Sequence, residues 1–541
     1  MLLAMLTASA CALRANGASA LLAATMVVAG FPAVFQFAIC IARLALRVLL
    51  RPLSPRRQTD HTAALPPLVI PFILRKAGDM EVLRRCVDEN LPHVQRRPMM
   101  VLLDGPDSRS ATAPEDHALL ELVRGKLAQD IATGDVALLV RRRRYDPVDG
   151  VWRGWERKRG KIVEFCRLAQ GGRDTDFIDP LPRTMRGLTE FVAIDVDTLL
   201  TPCTIMRLAE AVDDEAAIVV PAIEDLRRPS PSWFERLQAP YWCARPFDPR
   251  MSFNQDYLGR DLFFGKGLIV VDRFLDRTEG RIADRTVLSH DHLEAMLAGA
   301  VFNPAAVVRE WVPPLRSQWA ARQHRWMRGD FQIVPWLVRG GLRLSARFHL
   351  ALVICAQLTS LGSLVLLATA LLAMPWPISG WIAVAAIAII YPPALLMPLE
   401  ALWLFACAPG SRSQRLRRAG ALLVNDAAAW LLRACYTPGD AMLTMHAGAL
   451  VAWRRLVTGR NMLAWSDATA VPQPSPIWMA ACACAGAAAI GGAFLAEGPM
   501  QAVGALVAFW LVAPLVLERG AVNRSARNAV SISDGAVPIS T

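Results

Sequence analysis

The stretch TEFVAIDVDTLL, residues 189–200, is a short apolar run closed by two carboxylates, Asp195 and Asp197. A run of this kind reads as a buried strand, and acids just past its end read as groups at the ligand edge of a sheet. Working outward, the apolar runs 68–74, 99–103, 136–140 and 218–221 are further candidate strands. Between them lie helically periodic segments at 80–91, 114–127, 156–168 and 203–212. Such alternation predicts an α/β domain with a mostly parallel sheet over residues 66–341. Asp104 closes the run 99–103 as Asp195 and Asp197 close theirs, and Gly105 follows it. Alternate residues of an extended chain point the same way, so a D-x-D pair offers two carboxylates to one hard divalent cation on a diphosphate. A second D-x-D, Asp174 and Asp176, has no strand before it and reads as a solvated loop.

Three other stretches carry candidate chemistry. LSHDHLE, residues 288–294, gathers ionisable groups at the start of an apolar helical run. A carboxylate there suits a general base, helix capping by Ser289 or Asp291 explains the same residues, and His290 with His292 offers zinc two ligands but no third nearby. RQHRWMRGD, residues 322–330, is followed by Phe331 and Trp336. Indole faces stack on sugars and guanidinium groups grip diphosphates, while a basic interfacial helix with a Trp anchor is the competing reading. RRRR, residues 141–144, precedes Trp152, Trp155, Lys158 and Lys161 and forms the strongest basic run. It suits a nucleotide diphosphate, an anionic lipid or a nucleic acid. A domain tethered to membrane at both ends disfavours nucleic acid. Only five of the 59 basic residues are lysines, and three of them, Lys158, Lys161 and Lys266 of FGKG, fall in such motifs.

The 541-residue chain carries a net charge of +12, with 54% hydrophobic and 20% charged residues. That length and composition exclude a disordered tail or a small disulfide scaffold and leave room for a catalytic domain plus membrane helices. The eleven cysteines include no CxxC pair. Residues 15–42 contain no charge and are followed by Arg43, Arg47, Arg51, Arg56 and Arg57, which predicts a transmembrane helix entering the cytoplasm. The uncharged stretch 348–399, broken at Pro375 to Gly380, predicts a hairpin, and a second fits 474–517. Between them, residues 419–465 mix charge with apolar residues and read as interfacial helices, or as a cap on the main domain. Five crossings result.

Taken together, RRRRYDPVDGVWRGWERKRGK (141–161), AIDVDT (193–198), FGKGLIVVDRF (264–274), LSHDHLEA (288–295) and RQHRWMRGDFQIVPWL (322–337) resemble the membrane-embedded family 2 glycosyltransferases. The likeness is closest to the glycosyltransferase region of bacterial cyclic β-1,2-glucan synthases and more distant to cellulose synthase. It covers residues 66–518. It implies a GT-A (Rossmann-like) domain at 64–341, after an N-terminal transmembrane helix and basic linker at 1–63. A transmembrane hairpin at 342–409, cytoplasmic interfacial helices at 410–470, a second hairpin at 471–518 and a polar tail at 519–541 would follow. The implied activity is inverting transfer from UDP-glucose, with Mg2+ or Mn2+, building a β-glucan that is exported through the chain's own membrane spans, in a multi-pass protein of the cytoplasmic (inner) membrane whose catalytic domain faces the cytoplasm.

Carried onto this chain, Asp291 is the catalytic base, Asp195 and Asp197 hold the metal, and Asp104 contacts the uridine side. Lys158, Lys161 and Arg325 hold the donor phosphates, while Trp326 with Gly265, Lys266 and Gly267 lies at the acceptor. The expected partners are a nucleotide sugar, a glycan acceptor and the lipid bilayer, with no nucleic acid. Arg322 stands where cellulose synthases have Gln. Cyclic glucan synthases are far longer and carry a phosphorylase-like domain, which leaves a partner protein for export or cyclisation among the expectations. A transferase adding one or a few sugars to a lipid or glycan, and a non-catalytic subunit of a polysaccharide complex, are the alternatives.

Overall fold

The computed structural model describes residues 19–49, 65–94, 98–226, 260–313, 315–372, 392–408 and 410–464, with a few single residues elsewhere. Helix α1 (Ala20–Leu49) precedes a domain that alternates β1 (Leu68–Ile73), α2 (Asp79–Asn90), β2 (Met99–Asp104), α3 (Asp116–Lys126), α4 (Ala128–Thr133) and β3 (Val136–Arg141). A small hairpin of β4 (Arg144–Asp146) and β5 (Val151–Arg153) leads to α5 (Arg157–Ala169), β6 (Glu190–Ala193), β7 (Thr198–Leu200), α6 (Thr204–Glu210) and β8 (Ile218–Leu226). Then come β9 (Gly267–Val270), α7 (Val271–Thr278), α8 (Asp291–Glu294), β10 (Ala300–Trp311) and α9 (Arg316–Ile333).

The eight-stranded sheet has the order β3-β2-β1-β6-β9-β8-β10-β7. Its strands are apolar at nearly every position because both faces are covered. Val69, Met100 and Leu102 pack into the core that holds Phe165 of α5 and Phe274 of α7. Leu68, Ile70, Met99 and Val101 face the opposite core with Leu83 of α2 and Leu208 of α6.

The sheet is mixed, which corrects the mostly parallel expectation. β3, β2, β1 and β6 run parallel, but β9 is antiparallel to both β6 and β8, and β7 is antiparallel to β10. Strands β7, β9 and β10 escaped the sequence reading for physical reasons. The first two have only 3 and 4 residues. The register of β10 against β8 breaks between Asn303 and Val307, and that bulge destroys a regular period.

Beyond the sheet domain lie α10 (Leu344–Leu372), α11 (Pro392–Cys407) and α12 (Arg412–Trp453). The last is one 42-residue helix, started by a capping box of Ser411 and Gln414, where the sequence suggested several helices. It packs Leu443 and Ala447 against Ala320, Ala321 and Met327 of α9. Among the described residues one helix, Leu344–Thr369, is long and apolar enough to cross a membrane, and Ala20–Gln36 is a shorter apolar one. The predicted turn of the first hairpin and all of the second lie outside the described residues, as does most of 223–257.

Candidate active site

The sheet topology gathers the site. Because β1, β2, β3 and β6 are parallel, their C-terminal ends share one edge, which carries Asp104 and the Asp195 to Asp197 turn. β9 runs the other way, pairing Gly267 with Ala193, so its entry delivers Gly265 and Lys266 to that edge. β10 pairs Glu310 with Thr198, one residue past Asp197. The result places a third carboxylate beside the D-x-D pair. Oxygens of Asp195, Asp197 and Glu310 lie within 4.8 Å of one another, a hard-oxygen set that suits a divalent cation. Glu310 went unread because its place depends on pairing between strands that are distant in the chain.

Three cations surround these acids. Lys158 Nζ donates to Asp195 Oδ1 at 2.5 Å and to the Gly265 carbonyl at 2.9 Å. Lys266 Nζ lies 3.3 Å from Asp195 Oδ2 and in contact with Glu310 Oε1. Arg322 reaches Glu310 Oε2 at 3.2 Å and Asp197 Oδ2 at 3.8 Å, and lies 4.8 Å over the Trp326 ring. Burial alone would raise the Asp195 carboxyl, but Lys158 and Lys266 outweigh it and hold the group well below the usual carboxylate range. Burial works against the charge on Lys158 too, yet Asp195 and then Asp291 hold its pKa above the ordinary lysine value. Arg325, half-buried on α9, is pushed down to about 10 by burial and then by Arg322. Lys266, expected at the acceptor, therefore sits on the D-x-D side.

Asp104 occupies the end of β2, two strands from β6. It is 2% exposed, and Arg141 clamps it, Nε donating to Oδ1 at 2.7 Å and Nη2 to Oδ2 at 2.8 Å. Lys161 adds a contact at 3.2 Å and donates to the Phe72 carbonyl at 2.6 Å. Burial, only partly offset by Asp104, pushes Lys161 down to about 8. Asp104, Arg141 and Arg144 line a cavity of about 780 Å³, with Tyr145, Trp152 and Ile178 among its other walls.

The RRRR run is not one open patch. Arg141 and Arg143 are buried, and Arg143 pairs with Asp116 at 2.7 Å. Asp176 is no solvated loop residue either: it is 8% exposed and pairs with Arg144 at 2.5 Å. Asp176 is the buried member of that pair, so its charge demands a partner, and Arg144 supplies it.

Asp291 opens α8 across the edge from Asp195. Gly265 lies between them at φ +77°, where an added Cβ would stand 2.9 Å from Asp291 Oδ2 and collide with the Lys158 ammonium. His290 Nδ1 is 2.8 Å from Glu294 Oε2 and 3.6 Å from Asp291 Oδ1. These three residues form a second cluster of possible ligands, and His292 is not in it; its ring instead packs edge-on against Phe264 at 5.2 Å. Helix α9 positions this loop directly. Gln332 Oε1 accepts from the Leu288 N–H at 2.6 Å, and Gly329 abuts Ser289 so closely that a Cβ would collide with it.

The turn into α5 is strained. Glu156 and Arg157 both adopt left-handed backbone, φ 47° and 52°, a conformation that side chains resist. It is held by Arg141 donating to the Arg157 carbonyl at 3.0 Å and by the Arg157 side chain donating to Leu463 O at 2.7 Å and Asp107 at 2.7 Å. Residues 461–464 cross the site here, and Arg328 and Gln332 also donate to the carbonyls of Ala464 and Met462 at 2.6 and 3.0 Å.

No protein-family model matches the chain. Over 315 residues it is 31% identical to the cyclic beta-(1,2)-glucan synthase NdvB of Rhizobium meliloti, covering 52% of this chain and 11% of that protein. Over 189 residues it is 27% identical to the glucans biosynthesis glucosyltransferase H of Bradyrhizobium diazoefficiens, covering 32% of this chain and 24% of the relative. The matched region is thus a minor part of each relative. Among solved structures, a mannosyltransferase from Pyrobaculum calidifontis in complex with GDP-Man and Mn2+ aligns with a TM-score of 0.40 at 14% identity, over 81% of this chain and 99% of that one. The resemblance read from the motifs stands: the chain is related to proteins named as a glucan synthase and a glucosyltransferase.

Proposed function

We propose that the chain is an inverting, membrane-embedded glycosyltransferase that polymerises glucose from UDP-glucose into a β-glucan at the cytoplasmic membrane and exports it through its membrane helices. One observation carries the reading: Asp291 faces the D-x-D turn across Gly265, with Lys158 held by Asp195 and by the charge of Asp291. Inversion needs a base on the acceptor side and cations on the departing diphosphate, and this arrangement supports both. Asp291 takes the proton of an acceptor hydroxyl as its oxygen bonds to the anomeric carbon, while the bond from that carbon to the diphosphate breaks on the opposite face. Lys158 and Arg325 bind the diphosphate, and Trp326 offers its indole face to the acceptor sugar. A bound Mg2+ or Mn2+, held by Asp195, Asp197 and Glu310, supplies neutralisation of the leaving diphosphate. The cavity beside Asp104 suits the nucleoside end of the donor, with Lys161 behind that carboxylate. The relatives' names support the glucan, and β-1,2 linkage is the finer part of the proposal.

The deciding experiment is UDP release by the detergent-solubilised chain given UDP-glucose and Mg2+, with linkage analysis of any glycan. Metal-dependent release with β-1,2-linked polymer is the expected result. A different linkage keeps the chemistry and discards the specificity, and short products only would make the chain a transferase of one or a few sugars. No release with any nucleotide sugar, acceptor supplied, leaves a non-catalytic subunit.

A further inference from the structure

We infer that Lys266 keeps the carboxylate pocket closed to divalent cations until a nucleotide diphosphate arrives, and that Glu310 is the pocket's third carboxylate. The inference rests on the glycosyltransferase reading and adds an order to its binding steps. Lys266 is 3% exposed and Glu310 6%, so neither ion is solvated enough to stand alone. The lysine ammonium lies on Asp195 Oδ2 and Glu310 Oε1, two of the three carboxylates that converge within 4.8 Å. Arg322 takes the remaining oxygen of Glu310 and approaches Asp197. The acids thus already hold an internal cation in the space where a metal would bind. A second cation on the same oxygens meets direct repulsion at contact distance, strongest where water is scarce.

Lys266 therefore has to leave before a metal can be held tightly, and it needs another anion to move to. A diphosphate supplies one. The residue enters the site from Gly265, whose carbonyl accepts from Lys158, so both ammonium groups stand at the same strand edge. Drawing Lys266 from carboxylate to phosphate frees Asp195 and Glu310 for the metal, and by linkage each ligand strengthens the other by the same factor. Glu310 is needed both for the closed state, as the partner of Lys266, and for the loaded one, as a ligand.

The test is Mn2+ titration of the full-length solubilised chain, read by the EPR signal of free Mn2+, with and without UDP. Wild type should bind Mn2+ at least about tenfold more tightly with UDP, a difference of about 1.4 kcal/mol. Lys266→Met should tighten Mn2+ binding without UDP by about tenfold and shrink the effect of UDP, because the competing cation is gone. Glu310→Gln should weaken Mn2+ binding in both conditions. Unchanged or weaker UDP-free binding in Lys266→Met overturns the inference. Should that variant fail to fold, undiminished Mn2+ affinity in Glu310→Gln overturns it instead. If wild type binds UDP and Mn2+ but the variants defy these expectations, only this inference falls. If wild type binds neither, the glycosyltransferase reading falls with it.

Discussion

Asp104 is buried with both oxygens committed, so the effect of losing a partner there can be stated in advance. Arg141→Met leaves a sealed carboxylate with Lys161 alone, and breaking a buried pair on one side typically costs about 3–5 kcal/mol. Urea denaturation of the solubilised chain should show a loss of that order. Asp291 poses the opposite case, because it is partly exposed and faces the space proposed for the reacting sugars. Asp291→Asn should cut sugar transfer by about 10²–10⁴-fold, the usual worth of a positioned base, and leave UDP binding within about threefold, as read by calorimetry. Substantial polymerisation by that variant would sink the role. The acids at 104, 195, 197 and 291 were legible in the sequence because each closes an apolar run or opens a helix. Glu310 was not, since its meaning comes from standing opposite Thr198 in an antiparallel pair. Nor was the division of labour within RRRR legible, because Arg141 ends β3, Arg144 starts β4 and the irregular turn between them decides that Arg141 and Arg143 point inward to Asp104 and Asp116 while Arg144 stays 44% exposed.

Helix α9 shows what one element contributes: one side of it meets the loop before Asp291 and, through Arg322, the D-x-D acids, while the other side packs on α12. Its contact with the loop before Asp291 depends on Gly329 having no side chain. Gly329→Ala should push Ser289, and Asp291 with it, off the productive geometry and cost about 10²-fold in transfer, the scale of an ångström misplacement, while UDP still binds. Equal loss of UDP affinity would instead mean that the whole domain had shifted. On the face toward α12, His324 Nε2 lies 2.8 Å from His446 Nδ1, a bond that needs one ring to donate and the other to accept. Burial, then Arg328 and His446, push the His324 pKa down to about 4. An unfolded chain therefore binds more protons than the folded one between about pH 4 and 6.5, so this stability is complete above about pH 6.5 and is lost as pH falls toward 4. Thermal melts should drop across that window, and His324→Gln should flatten the dependence; an unchanged slope would show that the pair does not control it. The amphipathic stretches were readable as helices, yet α12 as one 42-residue helix was not, because charges scattered among its apolar residues read as several interfacial segments.

At the scale of the molecule, the sheet edge that carries the candidate site and the apolar helices are joined by contacts that local sequence does not announce. Gln36 of α1 donates to the Leu352 carbonyl of α10 at 2.7 Å, and the Ala29 carbonyl occupies the space a side chain would need at Gly362. Gln357 of the same helix α10 donates to Asp330 of α9 at 2.7 Å, while Thr444 of α12 donates to the Gln357 carbonyl at 3.1 Å. A chain of contacts thus runs from Trp326, through Asp330 one turn further along α9, to the helix with the length and composition of a membrane span. A polar polymer crossing hydrocarbon needs a protein-lined path, and one that began beside the proposed acceptor residue Trp326 would let each added sugar advance into it. That adjacency supports the proposed export. In proteoliposomes sorted so that the sheet domain faces outward, glucan made from externally added UDP-glucose should collect inside, protected from a glucanase added outside. Polymer left entirely outside and digestible would keep the transfer chemistry, but it would assign α1, α10 and α12 to anchoring alone and detach export from this chain.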